Sequence, residues 1–161
     1  MTVLRPMSEF TFAAYIANAI PAYASDKAAS GQWSEIESLE MSRNSFEALL
    51  PQGLATPDHF LYQILDSVNQ QVVGILWMAA QDRGGHRVAY VYDVIIEAPH
   101  RRKGHATRAF YALEDEARRL GLTGIALHVF GHRTGPQALY AQLGYRCTNI
   151  NLFKPLGPPN A

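Results

Sequence analysis

The 161-residue chain has a single cysteine, Cys147, and no long apolar run. One thiol cannot form an internal disulfide or a cysteine-rich zinc site, so the sequence predicts a protein of the reducing cytoplasm. No apolar stretch approaches the roughly 18 residues that a membrane-spanning helix needs. The first residues also lack the basic-then-apolar order of a signal peptide. We therefore expect neither a targeting segment nor a membrane partner.

The chain also lacks net charge, because 14 Lys and Arg residues balance 14 Asp and Glu residues. Nucleic-acid-binding proteins are usually basic, so this balance argues against a nucleic-acid partner. The two signs are nevertheless separated: residues 1–100 hold five basic and eleven acidic side chains, whereas residues 101–161 hold nine and three. The densest basic segment, Arg101–Lys103 followed by Arg108, predicts an anionic ligand, with a solvated surface cluster as the alternative.

Repeats, linkers and low-complexity tracts are absent from the sequence. An apolar content of 48% over this length is enough for one globular domain with its own core. We therefore predict a single domain over residues 1–154, followed by a Pro- and Gly-rich tail at 155–161 that frays.

The acidic N-terminal half opens with a short strand and two predicted helices. The strand at Thr2–Arg5 is followed by a helix that Ser8 caps and that we expect to end near Pro21. Ser34 and Glu37 have the spacing of a capping box for the second helix. The apolar stripe of the first helix comprises Phe12, Tyr15, Ile16 and Ala19, and that of the second comprises Ile36, Leu39, Phe46, Leu49 and Leu50.

Strands are predicted through the middle of the chain. His59–Leu65 and Gln71–Ala80 are apolar or β-branched runs joined by a polar turn, which is typical of an antiparallel hairpin. Val88–Glu97 has the composition of a central strand. Apolar residues then recur every three or four positions over Ala106–Leu120, which predicts an amphipathic helix. A buried strand at Gly124–Phe130 follows, so this passage forms a parallel crossover.

The C-terminal region adds a short helix at Gly135–Leu143 and a final strand at Tyr145–Phe153. The complete order is βααβββαβαβ. One parallel crossover inside a mostly antiparallel sheet predicts a mixed α/β fold in which helices flank the central sheet.

The junction between the central strand and the long helix, residues 97–107, has the chemistry of an anion site. The first N–H groups of a helix lack intrahelical partners, and the helix dipole places partial positive charge there. Gly104 lets the backbone approach a ligand closely, and the neighbouring basic side chains can reach a diphosphate. The spacing differs from that of the common nucleotide loops, since neither Gly-x-x-x-x-Gly-Lys nor Gly-x-Gly-x-x-Gly is present.

The pattern Arg101-x-x-Gly104-x-Ala106 resembles the Arg/Gln-x-x-Gly-x-Gly/Ala motif of the GCN5-related N-acetyltransferase (GNAT) superfamily. A second stretch, Ala138–Tyr145, is similar to the Ala-Leu-Tyr-x-x-x-Gly-Phe/Tyr signature of that superfamily. The resemblance extends over residues 72–154 and implies a GNAT-like acyl-CoA N-acyltransferase fold.

This resemblance implies direct transfer of the acetyl group of acetyl-CoA to a primary amine in a ternary complex. The turn would hold the pyrophosphate, the exposed edge of the central strand would pair with the pantetheine arm, and the Ile96 N–H would polarise the acetyl carbonyl. Arg133 stands where the family usually has Asn, and it keeps donor capacity without an amide acceptor. The implied cofactor-binding residues are Ile95, Ile96, Arg101, Arg102, Lys103, Gly104, His105, Ala106, Thr107 and Arg133.

Three residues are candidates for acid–base catalysis. The resemblance assigns Tyr140 as the general acid to the departing thiolate, and core packing is its alternative role. Asp93 and Glu97 are both candidate bases, because an unpaired carboxylate in an apolar strand is costly and because period-two alternation places both on one face. A hydrogen-bonded structural Asp93, a merely solvated Glu97 and a water relay are the alternatives.

No metal cofactor is predicted. His128 and His132 fall on a strand and a turn, where a four-residue spacing does not create a shared face, and no His-Glu-x-x-His motif occurs. The acidic N-terminal half favours a cationic acceptor, either a small-molecule amine or a peptide amine. A catalytically silent acyl-CoA-binding or sensing module of the same fold is the alternative function, and the sequence leaves a homodimer open.

Overall fold

The computed structural model describes residues 2–157, which divide into two compact units. The first unit contains residues 2–15 and 49–128, and the second contains residues 16–48 and 129–157. The last part of the predicted fraying tail, residues 158–161, lies outside the described residues. Within the described chain, no helix is both long enough and apolar enough to cross a membrane.

The first unit comprises β1 (Thr2–Pro6), β2 (His59–Asp66), β3 (Val72–Arg83), β4 (His86–Ile96), α3 (His105–Arg119) and β5 (Ile125–Leu127). The five strands form one mixed sheet in the order β1-β2-β3-β4-β5. The first four strands pair antiparallel with their neighbours, whereas β5 lies parallel to β4. Helix α3 supplies the crossover that this parallel pair requires.

The core of the first unit lies between the sheet and α3, which contacts β1, β2 and β4. Burial of each large apolar side chain contributes about 1.5–3 kcal/mol relative to exposure. The buried residues of α3 keep the three- and four-residue spacing predicted from the sequence, and the fully buried strand residues include the largest side chains of the sheet. These two sets are Ala109, Phe110, Leu113 and Ala117 on the helix, and Ile64, Leu76 and Met78 on the strands. Trp77 is also fully buried, but it alternates to the opposite face of the sheet, where it pairs with Asp93.

Helices make up the regular structure of the second unit: most of α1 (Glu9–Ala29), α2 (Ser38–Leu49) and α4 (Thr134–Gln142). The predicted end of α1 near Pro21 is wrong, because the helix continues for two further turns. Pro21 is exposed, and the missing N–H and ring clash of an internal proline cost about 3 kcal/mol. The following turns offset this cost by burying Ala24 and placing the Tyr23 ring 5.4 Å from Trp33 and 6.0 Å from Phe46.

The predicted apolar stripe of α2 is only partly correct. Phe46 is buried, but Ile36 precedes the helix and is 94% exposed. Two serines occupy the buried face instead, at Ser38 and Ser42. The Ser42 Oγ donates a hydrogen bond to the Ile20 carbonyl of α1 at 2.7 Å. A small hydroxyl at this position lets the two helices approach closely, which an amphipathicity pattern does not indicate.

The predicted final strand at Tyr145–Phe153 is wrong, because the described chain has no strand after α4. The strand predicted at Gly124–Phe130 is present but shorter, as Ile125–Leu127. Ile150 and Leu152, which carry the strand-like pattern of the last segment, are exposed. Strand preference depends on burial against neighbours, so this pattern alone does not secure a place in the sheet.

Candidate active site

Strand β4 contains a bulge at Tyr92. Trp77 of β3 pairs with Asp93, whereas the next β3 residue, Met78, pairs with Val91. Tyr92 is therefore an extra residue in the ladder. Such an insertion bends the strand and reverses the alternation of its backbone groups.

The bulge decides which amides of β4 face its two neighbours. Before the bulge, the Ala89 N–H points to the β5 side, where it donates at 2.9 Å. After the bulge, the Glu97 N–H donates to the Val73 carbonyl on the β3 side, also at 2.9 Å. Because successive backbone groups alternate in direction, Ile95 faces β3 and Ile96 faces the β5 side. The N–H predicted as the oxyanion donor is thus the one that points away from β3.

This β5 side of β4 is open beyond the bulge. The short β5 pairs only with Ala89–Val91, and within residues 2–157 no other strand pairs with that side of β4. Residues 92–96 are all half-buried even though they lie inside the sheet. An extended ligand that carries amide groups can add to such an edge through main-chain hydrogen bonds.

The turn from β4 to α3 combines two left-handed residues with the start of a helix. Arg102 has φ 61°, and Gly104, the N-cap, has φ 78°. Residues 105–107 form the first turn of α3, where the amide N–H groups have no intrahelical acceptor. A Cβ atom at Gly104 would lie 2.7 Å from Nη1 of Arg108. The turn is therefore a narrow cradle of backbone donors, as an anion requires.

Exposed cationic side chains surround this turn at Arg101, Arg102 and Lys103. Nε of Arg101 donates to the Ile96 carbonyl at 2.9 Å, and Nζ of Lys103 donates to the Pro99 carbonyl at 2.9 Å. These two bonds keep both side chains close to the end of β4 while their charges remain in solvent. Positive charge beside unpaired amides suits a diphosphate.

The His105 side chain, which the sequence places in the turn, is buried rather than exposed to a ligand. It lies beside Thr2, with Nδ1 3.4 Å from Oγ1, and beside Arg108, with Nδ1 3.3 Å from Nη2. Burial, followed by the positive charge of Arg108, lowers the pKa of His105. The imidazole is thus held neutral, and His105 can offer a ligand its backbone N–H.

Asp93, the first candidate base, accepts a hydrogen bond from a buried tyrosine hydroxyl. Oη of Tyr15 donates to Oδ2 of Asp93 at 2.9 Å, and Tyr15 is only 6% exposed. Burial and the adjacent Asp93 charge raise the pKa of Tyr15 well above its ordinary value, so its proton stays in place. Asp93 is half-buried on the bulged strand. A carboxylate offers about four lone-pair sites, and the Tyr15 hydroxyl is one of the partners of Asp93.

Glu97, the second candidate base, lies just past the end of β4 and is exposed. It shares the post-bulge alternation of Asp93, so the predicted common face is consistent with the register. The hydrogen bonds described for Glu97 involve its backbone. Of the two carboxylates, Asp93 is the one that a buried donor holds in the described structure.

Arg133, the predicted cofactor contact in the second unit, is bound to Asp26. Its Nε donates to Oδ1 at 3.1 Å, and its Nη2 donates to both carboxylate oxygens at 2.9 Å. Nε2 of His132 lies 3.0 Å from the same Oδ1. Most of the donor capacity that could have replaced the usual Asn is therefore used within the protein.

Across residues 2–157, no group of three or more His, Cys, Asp and Glu side chains is arranged to hold a metal ion.

Tyr140, the predicted general acid, lies in the last part of α4 and is half-buried. Its ring centroid is 5.7 Å from that of Tyr145, and its carbonyl accepts a hydrogen bond from the Tyr145 N–H at 3.0 Å. No residue of α4 is fully buried. Tyr140 thus packs against Tyr145 without being fully buried.

Residues 24–145 match the acetyltransferase (GNAT) family. The chain belongs to the GNAT family. The uncharacterized N-acetyltransferase YycN of Bacillus subtilis (strain 168) is 35% identical over 158 residues, which cover 97% of this chain and 100% of YycN. The uncharacterized N-acetyltransferase YdgE of the same organism is 32% identical over 153 residues, which cover 95% of this chain and 97% of YdgE.

The crystal structure of YycN superposes on this GNAT chain with a TM-score of 0.92 and 33% identity, and covers 98% of the chain and 100% of YycN. The family and the mixed α/β fold inferred from the sequence are thereby confirmed. The matched segment includes both the turn at 101–107 and the signature around Tyr140. GNAT enzymes generally use acetyl-CoA as the acyl donor.

Two polar partners in this GNAT chain are not evident from the sequence. Tyr15 falls in a predicted apolar helix stripe, and Asp26 has no predicted role. Each meets its partner across a large separation in sequence, 78 residues for Tyr15 and Asp93 and 107 for Asp26 and Arg133. The sequence marks Asp26 only as an acidic residue, which does not identify its partner.

Gly74 of β3 lies opposite Ile96 of β4, where the two backbones leave no room for a side chain. A Cβ atom at this position would overlap the Ile95 carbonyl oxygen of β4. We expect Gly74→Ala to destabilise the protein by about 1–3 kcal/mol, the usual cost of overpacking, and to weaken CoA binding because β4 must shift. Gly124→Ala, directly before β5, is the matched control, since its Cβ would lie at an ordinary 3.6 Å from Val88. Equal thermal stability and equal CoA affinity for the two variants would contradict this prediction.

The buried His105 predicts a pH-dependent stability. Its pKa is lowered in the folded state, so between the ordinary value of about 6.5 and that lower value the unfolded chain binds more protons. The free energy of unfolding should therefore fall as the pH drops below about 6.5. Denaturant titrations should show a shallower fall for His105→Gln, whereas His86→Gln, on the exposed hairpin, should match the wild type. Parallel curves for all three proteins would rule out His105 as the source.

Proposed function

We propose that this protein is an acetyl-CoA-dependent N-acetyltransferase that transfers the acetyl group directly to a primary amine in a ternary complex. The observation that carries the proposal is the open edge of β4 beyond its bulge, directly before a cradle of backbone donors. The edge suits the amides of a pantetheine arm, and the cradle suits a pyrophosphate. Both features belong to one continuous segment, residues 92–107.

Each proposed residue has a defined part in the transfer. The amine nitrogen forms a bond to the acetyl carbon, and the carbon–sulfur bond breaks. The Ile96 N–H stabilises the developing oxyanion, Asp93 accepts the proton released by the amine, and Tyr140 donates its proton to the leaving thiolate. The family signature, rather than a distance, supports the assignment of Tyr140.

The choice of Asp93 over Glu97 as the base is supported by its surroundings. Asp93 is half-buried and fixed by the Tyr15 hydroxyl, whereas Glu97 is exposed at the strand end. A general base has to be held within hydrogen-bond reach of the proton that it takes. A fixed carboxylate meets this requirement better than a solvated one.

A catalytically silent acyl-CoA sensor is the second candidate, and one observation favours it. Arg133, which replaces the usual Asn, is held by Asp26. A GNAT chain that lost a cofactor contact in this way could retain binding at the turn and the β4 edge without turnover.

Thiol release from acetyl-CoA, measured across a panel of primary amines, tests the proposal. The panel should include polyamines, aminoglycoside-like amines and lysine or N-terminal peptide amines, with neutral alkylamines for comparison. Amine-dependent release, with the acetylated amine identified by mass spectrometry, is expected. Thermal stabilisation by CoA without turnover on any amine would overturn the enzyme proposal and favour the sensor.

A further inference from the structure

Four rings form a continuous row across β2, β3 and β4 at the bulge. Tyr90 meets Tyr92 edge-on at 4.9 Å, Tyr92 stacks on Trp77 at 4.5 Å, and Nε1 of Trp77 donates to Nδ1 of His59 at 3.0 Å. Trp77 is buried and the other three are half-buried. We call these four residues the aromatic row. Core packing accounts for the buried Trp77 but not for Tyr90, which stays partly exposed at the end of the row.

A cation already lies on the Tyr90 end of the aromatic row. Cζ of Arg83 is 4.2 Å from the centroid of the Tyr90 ring. This is closer than another cation contact in the described chain, in which Lys27 lies 5.2 Å from Trp33. A guanidinium over a tyrosine face is attracted by the ring quadrupole and stacks on it. The Tyr90 face is therefore shaped and oriented to hold a planar cation.

Arg83 reaches this ring from the end of a hairpin and is itself exposed. It is the last residue of β3, before Gly84 and Gly85, which both have positive φ. Its Nε makes a long contact of 3.5 Å with Oε1 of Gln81, whose Nε2 donates to the Tyr92 hydroxyl at 2.6 Å. The hydrogen bond that holds the Arg83 side chain is therefore long, and its acceptor, Gln81, also contacts the aromatic row through Tyr92.

The candidate base lies on the same face of the sheet. Tyr90 is opposite Ala79, and Asp93 is opposite Trp77. Directly opposed residues of an antiparallel pair share a face, and β3 residues two apart share one too. Two residues span about 7 Å along a strand. A carboxylate and a cation-binding ring therefore lie on one surface, separated by about the length of a lysine or arginine stem.

We propose that the Tyr90 face is a subsite for a second cationic group of the amine substrate, preferably a guanidinium, and that Arg83 occupies it until the substrate displaces it. This inference rests on the proposed function, because it assigns a substrate class to the same site. The reacting amine lies at Asp93, and the distal cation replaces Arg83 on Tyr90. Arg83 and Tyr90 act on acceptor selection and take no part in the transfer itself.

Agmatine and hexylamine are suitable probes. Agmatine carries a guanidinium and a primary amine on a short alkyl chain, whereas hexylamine offers the amine alone. With Arg83→Ala, we expect the KM and the calorimetric Kd for agmatine to fall by about threefold to tenfold, the range for a contact of this kind, with hexylamine unaffected. Tyr90→Leu should raise both values for agmatine alone, and Tyr90→Phe should retain most of the wild-type preference.

Arg87→Ala is the matched control for the loss of one positive charge on the same hairpin, since Arg87 pairs with Asp58 at 3.0 Å rather than with a ring. It should leave both probes unchanged. Equal shifts for agmatine and hexylamine, or an unchanged agmatine Kd in Arg83→Ala, would overturn the subsite. Calorimetry without acetyl-CoA decides the subsite even if no amine is acetylated, so failure of the proposed function remains distinguishable. Arg83→Ala, at an exposed side chain, keeps the test valid if Tyr90→Leu does not fold.

Discussion

A Gly104→Val variant is expected to lose CoA affinity by at least about a hundredfold, since two charge-assisted hydrogen bonds from the turn contribute about 1.5–3 kcal/mol each. Gly104 adopts φ 78°, which a β-branched residue rarely tolerates, and its Cβ would enter the space beside Arg108. The first turn of α3 would then shift, and its amides would no longer converge on a phosphate. Isothermal titration of CoA measures this loss directly.

The same helix provides the control. Gly121, just beyond the C-terminal end of α3, has φ 71°, and a Cβ atom there would meet open space. Gly121→Val therefore carries a similar conformational cost, about 1–2 kcal/mol, at the opposite end of α3. Both variants should melt at lower temperature, but only Gly104→Val should lose CoA. Wild-type affinity in Gly104→Val, or equal loss of affinity in both, would refute the assignment of the turn.

Replacement of Tyr140 by phenylalanine is expected to lower kcat by about 10²–10⁴, the contribution typical of a positioned general acid. The affinity for CoA should change little, because the hydroxyl acts on the thiolate that forms during the reaction. The two quantities have to be measured separately, by steady-state thiol release at saturating acetyl-CoA and by titration of CoA. A fall in affinity that matches the fall in turnover would indicate a binding role instead.

Tyr145→Phe is the control for this measurement. It removes one hydroxyl from the ring 5.7 Å from Tyr140, and phenylalanine is common at this position of the family signature. Turnover should stay close to that of the wild type. A comparable loss in Tyr145→Phe would show that the packing of the two rings, rather than the Tyr140 proton, limits the reaction.

Helix faces, helix caps and hairpins could be predicted from the sequence, because each depends on residues that lie close together along the chain. The buried face of α3 follows from its apolar spacing, and the Ser8 cap forms as expected, with its Oγ accepting from the Thr11 N–H at 3.2 Å. The hairpin of β2 and β3 follows from two apolar or β-branched runs around a polar turn. The turn at Gly104 can also be located from the sequence, because a glycine and basic side chains between a predicted strand and a predicted helix are typical of an anion site.

Features that depend on distant partners cannot be predicted in this way. The continuation of α1 past Pro21 depends on packing in the following turns, and the absence of a final strand from the described chain depends on burial that Ile150 and Leu152 do not achieve. The bulge at Tyr92 arises from the pairing of two strands, and neither strand shows it alone. The Tyr15 donor to Asp93 likewise joins segments whose contact no sequence spacing encodes.

The bulge at Tyr92 places a constraint on the evolution of this segment. Substitution of an apolar residue in β4 changes one side chain, but deletion of a single residue between Val91 and Ile96 would exchange the two sets of amides. The N–H that now faces the open edge would turn to β3, and its neighbour would replace it. Among working homologues, β4 should therefore vary in composition much more freely than in length.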